Sequence, residues 1–128
     1  MNMTSLRLCL LLAVASSSLA VAQTPAGPPP GPTTRVLAIG HLTAGTTRDK
    51  MTPVMQQEVR DTVRLYLSGK LDQWFVRRDG NGVVFILNVQ TIEEAHALLE
   101  ALPLGKAKLM DFDLLALGPL SPLGLLLQ

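Results

Sequence analysis

Residues 70–94, KLDQWFVRRDGNGVVFILNVQTIEE, decide the fold of this chain. Two runs rich in β-branched and aromatic residues, Lys70 to Arg78 and Val83 to Val89, flank Asp79-Gly80-Asn81-Gly82. Glycine and asparagine accept the positive φ that tight hairpin turns require, so the spacing predicts two antiparallel strands joined there. Thr91-Ile92-Glu93-Glu94 follows as a capping box, in which the Thr91 hydroxyl and the Glu94 carboxylate satisfy amides at the start of a helix. Ile92, Ala95, Leu99 and Leu102 continue it as one apolar stripe, and Pro103 lies just past its end.

Working outward, Thr52-Pro53 predicts the start of an earlier helix, with threonine as cap and proline in the first turn. Met55, Val59, Val63 and Tyr66 recur at helical spacing and predict its buried face, and Ser68-Gly69 ends it. Arg35 to Leu42 (RVLAIGHL) predicts a buried strand, and Ala107 to Leu117 (AKLMDFDLLAL) alternates as a last one. The order is β-α-β-β-α-β. It predicts an α+β, ferredoxin-like domain over residues 35–118: a four-stranded antiparallel sheet with two helices on one face.

Pairing Asp79 with Gly82 sets Trp74 opposite Leu87, Val76 opposite Phe85 and Phe75 opposite Ile86. Opposed residues share a sheet face. Trp74, Val76, Phe85 and Leu87 then pack under the helices, with Met110, Phe112 and Leu114 of the last strand. Phe75, Arg77, Ile86 and Asn88 fall on the opposite face, with Asp111 and Asp113 on it or at its rim.

A single layer of helices leaves that second face bare, and a bare apolar face aggregates. The expected remedy is a second copy packed face to face, a homodimer or higher oligomer. Residues 118–128, GPLSPLGLLLQ, carry five leucines in eleven residues and no charge. This tail, 119–128, is expected at the dimer interface; the plain alternative is a free tail.

The other end of the chain reads as a leader. Arg7 precedes an apolar stretch, Leu8 to Val14, and Ala20-Val21-Ala22 offers small residues to a signal peptidase. Residues 1–22 are expected to be a signal peptide cleaved after Ala22, with Ala20 the second option. A membrane anchor would need a run of about 20 apolar residues. Cys9 leaves with the leader, so the mature chain has no disulfide or thiol chemistry. Residues 23–34, with five of the nine prolines, form a linker or, in a second reading, a proline-recognition ligand. The expected location is periplasmic or extracellular, with no membrane association after cleavage.

Net charge is +1 and aromatic residues make up 4% of the 128-residue chain, which argues against nucleic acid as a partner. His41, late in the first strand, is the best acid–base candidate by residue type. Asp111 joins it as a carboxylate for proton transfer. Arg77 could clamp a carboxylate, and Phe75, Ile86 and Asn88 would line the rest of a partly polar cavity. His96 lies beside the second helix stripe and reads as a surface or structural residue. The two histidines share no ligand spacing, so no metal is expected, and no glycine-rich phosphate loop is present.

The run Gln73 to Pro119, with WFVRRDGNGVVFILNV, TIEEAHALLEALPL and MDFDLLALGP, resembles the muconolactone delta-isomerase family. That family belongs to the dimeric α+β barrel proteins, related to YciI-type and ferredoxin-like proteins. The resemblance covers most of Val36 to Pro122. It implies a sheet-to-sheet dimer and a cofactor-free isomerase that shifts a proton on a small organic acid or lactone. The alternative is a non-catalytic dimeric barrel that holds a small ligand.

Overall fold

The computed structural model describes residues 31–120 with Leu123, Leu126 and Leu127. The expected signal peptide and all of the linker before Gly31 lie outside the described residues. The elements are β1 (Arg35–Leu42), α1 (Arg48–Leu67), β2 (Leu71–Val76), β3 (Val83–Leu87), α2 (Ile92–Glu100), α3 (Pro103–Lys106) and β4 (Met110–Leu117). All strand pairs are antiparallel and the sheet order is β2-β3-β1-β4. The chain is therefore α+β with a four-stranded antiparallel sheet, compatible with a ferredoxin-like fold. The short α3 departs from the two helices expected. Pro103 lies past the end of α2, as expected, and also sits in the first turn of a new helix after the extended Leu102.

The core forms where β1, β3 and β4 meet α2. Val36, Ala38, Phe85, Leu87, Ala95, Leu99 and Leu102 are buried together, with Phe112 and Leu114 packed against them. Alternation along β1 accounts for this: Val36, Ala38 and Gly40 are buried, while Leu37, Ile39 and His41 face the other side. The Thr91 hydroxyl accepts from the Glu94 amide at 3.1 Å, which is the cap half of the expected box, whereas the Glu94 carboxylate accepts from Lys70 Nζ at 2.7 Å.

Helix α1 differs from expectation in two ways. It begins at Arg48, behind an extended Thr47, so Pro53 lies inside the helix rather than in its first turn. Its apolar stripe, Met55, Val59, Val63 and Tyr66, is exposed rather than buried. The buried residue of α1 is Glu58, whose Oε2 accepts from the Leu104 amide at 2.8 Å. That bond satisfies an amide at the start of α3, while the stripe borders an open groove with Leu42, Trp74, Val76 and Met110 on its other side.

Burial pushes the Glu58 carboxyl above its ordinary value of 4.5; the Leu104 amide opposes the rise and Asp61 adds to it. A carboxyl raised in the folded state favours folding below 4.5, and that contribution is lost as pH rises through the raised value. Glu58→Gln keeps a side-chain acceptor for Leu104 and removes the titration. Urea unfolding at mildly acid and at neutral pH should show a flatter pH dependence in the variant, with its gain over the wild type at the neutral end.

The hairpin pairs Trp74 with Phe85, Phe75 with Val84 and Val76 with Val83, a slip of two residues from the expected register. The turn is wider than expected. The Arg77 amide donates to the Gly82 carbonyl, the Gly80 amide to the Arg77 carbonyl and the Asn81 amide to Asp79 Oδ1, each at 3.0 Å. A slip of two keeps every side chain on its face, so Trp74 stays on the helix side and Phe75 on the open side. A bulge between Leu71 and Gln73 returns Leu71 to the buried face opposite Leu87.

Candidate functional site

The open face of the sheet carries Leu37, Ile39 and His41 from β1, with the Phe75, Val84 and Ile86 set of the hairpin beside them. Asp111, Asp113 and Leu115 join from β4, opposite His41, Ile39 and Leu37. At one end of this face four polar side chains form a line. His41 Nε2 lies 2.7 Å from Asp113 Oδ2, and His41 Nδ1 lies 2.7 Å from an Arg77 terminal nitrogen. That same Arg77 nitrogen donates to the Gly40 carbonyl at 3.3 Å, and the other donates to Asp79 Oδ2 at 2.5 Å.

Backbone geometry builds this line. The Leu42 amide donates to the Asn81 carbonyl at 3.1 Å, which ties the hairpin loop to the end of β1. Gly82, at φ +144°, passes so close that a Cβ there would fall on the Gly40 carbonyl. Only glycine permits both the backbone conformation and the approach. Arg77 is thereby carried over His41.

The contacts fix the chemistry of the ring. A guanidinium can only donate, so His41 Nδ1 must accept and carries no proton. The proton therefore sits on Nε2 and is donated to the Asp113 carboxylate. Asp79 completes the line: the Asn81 amide first, and the Arg77 guanidinium second, hold its carboxyl below the ordinary range. The side chains of Arg77 and His41 are 23% and 36% exposed, so both can be reached from solvent in a single chain.

Of the residues expected from the sequence, His41, Arg77, Phe75 and Ile86 share this face. Asp111 faces the same way, directly across from His41, yet the hydrogen bond goes to Asp113, one position along the diagonal. Asn88 does not join the group. It lies past the far end of β3, where its side chain donates to the Gly69 carbonyl at 3.1 Å. Its neighbours there are Thr34, Arg35, Lys70 and Glu94. His96 is an exposed helix residue 3.9 Å from Glu100. Sequence reasoning passed over Asp79 as a turn former; its signal was the arginine two residues before it.

Among the described residues no cluster of three or more His, Cys, Asp and Glu could hold a metal ion, and no helix is long and apolar enough to cross a membrane. Neither a protein-family model nor a curated protein matches this chain.

Proposed function

We propose that this chain is exported, pairs with a second copy through its open sheet face, and shifts a proton on a small organic acid or lactone, as its likeness to muconolactone isomerases implies. One observation carries the reading: Asp113 holds the Nε2 proton, so the Nδ1 lone pair is the basic atom, and it sits 2.7 Å from a cation. A substrate carboxylate that draws the guanidinium to itself uncovers that lone pair beside its own carbon chain. His41 then takes a proton from one carbon and returns it to another. The double bond moves, the electrons stay in the substrate, and Asp113 orients the ring throughout. Phe75 and Ile86 would form the apolar wall, and Asp111 flanks His41 as a second carboxylate.

The pairing follows from what the open face exposes. Phe75 and Leu115 are more than half exposed on a sheet covered on one side only. Sedimentation should give a dimer for the wild type and a folded monomer for Phe75→Asp. A wild-type monomer at micromolar concentration would remove the barrel from the reading. Sequencing of protein secreted by the native host should give Gln23 as the first residue.

Proton transfer is read directly by NMR in deuterium oxide with a panel of unsaturated lactone acids, muconolactone included. Protein-dependent exchange of a substrate C–H is expected. Loss of one positioned acid–base group typically costs about 10²–10⁴-fold, so His41→Ala should drop the exchange by that much. Arg77→Ala should act chiefly by raising the substrate concentration needed. The second reading, a binding protein without chemistry, is favoured by one fact: both ring nitrogens of His41 and both terminal nitrogens of Arg77 are already engaged within the chain. Ligand-induced shifts of the His41 ring without any C–H exchange would establish it.

A further inference from the structure

The exposed stripe of α1 borders an apolar groove of about 380 Å³ between that helix and the hairpin, on the side of the sheet away from His41. Met51, Met55, Val59 and Val63 form one wall, and Trp74 and Val76 the other. Its volume is in the range of small-molecule sites, roughly 300–1,000 Å³, and methionines let such a wall adapt to what fills it. Two polar side chains lie in the lining, Glu58 and Thr62, and Glu58 is its one charged residue.

Glu58 sits there without a counter-charge. The residue is 7% exposed, and the Leu104 amide on Oε2 is the one hydrogen bond to its carboxylate among the described residues. None of the ion pairs among those residues includes it, and Arg7 is the one Lys or Arg of the eleven that lies outside them. Arg64, two turns along the helix, pairs with Asp61 instead. Oε1 has no partner in the chain yet is not sealed off, so it is reached from the groove. A buried carboxylate is costly unless a cation and further hydrogen bonds answer it. Burial disfavours the ionised form of Glu58, the Leu104 amide favours it, and the Asp61 charge disfavours it further.

We propose that the groove binds a small lipophilic amine, with its ammonium on Glu58 Oε1 and its apolar body between the α1 stripe and Trp74. Charge decides the class. An ammonium both donates to Oε1 and neutralises the carboxylate, whereas an alcohol donates and leaves the charge, and a carboxylate would set two anions together. Trp74 adds to the preference, because the face of an indole attracts a cation. The leucine tail, residues 118–128, has no cationic side chain and would leave Glu58 unanswered. His41, Arg77, Asp79 and Asp113 lie outside the lining, so this site stands or falls apart from the reaction proposed above.

One rigid body with three head groups tests it: bridgehead-substituted adamantane as its amine, its alcohol and its carboxylate, each titrated into the full chain. Trp74 is the one tryptophan and is 40% exposed, so a body seated against it should move its emission to the blue. The amine should bind about tenfold more tightly than the alcohol, or better, the difference between a charge-assisted and a neutral hydrogen bond. The carboxylate should give no saturable shift. Glu58→Gln keeps an acceptor for Leu104 and removes the charge, so it should bring amine and alcohol to equal affinity. Val59→Lys places a cation on the same wall at an exposed position; it should weaken the amine more than the alcohol, and it carries the test if Glu58→Gln does not fold. Equal affinity of amine and alcohol in the wild type, carboxylate binding on a par with the amine, or a preference for the amine that survives both substitutions would overturn the amine as ligand. No saturable shift with any of the three would overturn the groove as a small-molecule site and leave it to the tail or to another protein.

Discussion

Leu87→Ala should lower unfolding free energy by about 2–5 kcal/mol. Leu87 has no exposed surface, sits on the inner strand β3 and faces Val36 on one side and Leu71 on the other. Rigid strands surround it, so the cavity cannot collapse and the cost should lie in the upper half of that range. Urea unfolding with an unchanged m-value is the measurement. Trp74→Ala should cost less, although the ring is larger. Trp74 is 40% exposed and makes an edge contact with Tyr66, centroids 4.6 Å apart. If Trp74→Ala proved the costlier change, the ring would have to be covered in solution by something a single chain does not supply.

Gly82→Ala should cost about 2 kcal/mol or more, and it should disturb the site before it disturbs the core. A non-glycine residue held at such a φ costs of order 1–3 kcal/mol, and the added Cβ would also push on the Gly40 carbonyl. Relief requires the loop to rise from β1, which carries Arg77 away from His41. Nitrogen-15 shifts of the His41 ring report this directly, because Nδ1 loses its donor. Cooperative unfolding with unmoved ring shifts would show that the loop does not set the Arg77 position.

The elements written in local chemistry were legible in the sequence. The ends of β1, the Thr91 cap and the glycine after α1 depend on a few adjacent residues. The hairpin faces survived a misplaced turn because the strand period is two and the slip was also two. What escaped was long-range. Nothing near Glu58 in the chain announces that its partner is an amide 46 residues away, or that the stripe of α1 is left exposed. Asp111 and Asp113 are equivalent by alternation, and only the reach of the His41 ring across the β1–β4 register separates them.

The bulge at Asp72 gives the chain one place in β2 where its length is negotiable. Leu71 and Trp74 both lie on the helix side of the sheet although three positions apart, and Asp72 absorbs the odd residue. Removing it would leave a strand that alternates without interruption, at the cost of one exposed ion pair with Arg35 at 3.2 Å. Loss of Gln73 would have the same effect, with Asp72 taking its place opposite Ile86, whereas a deletion at Phe75 or Val76 would invert part of the strand and turn Leu71 or Trp74 to the wrong side. Tolerance to lost residues in this domain should therefore be confined within β2 to Asp72 and Gln73, and a lineage that shortens the strand should do so there.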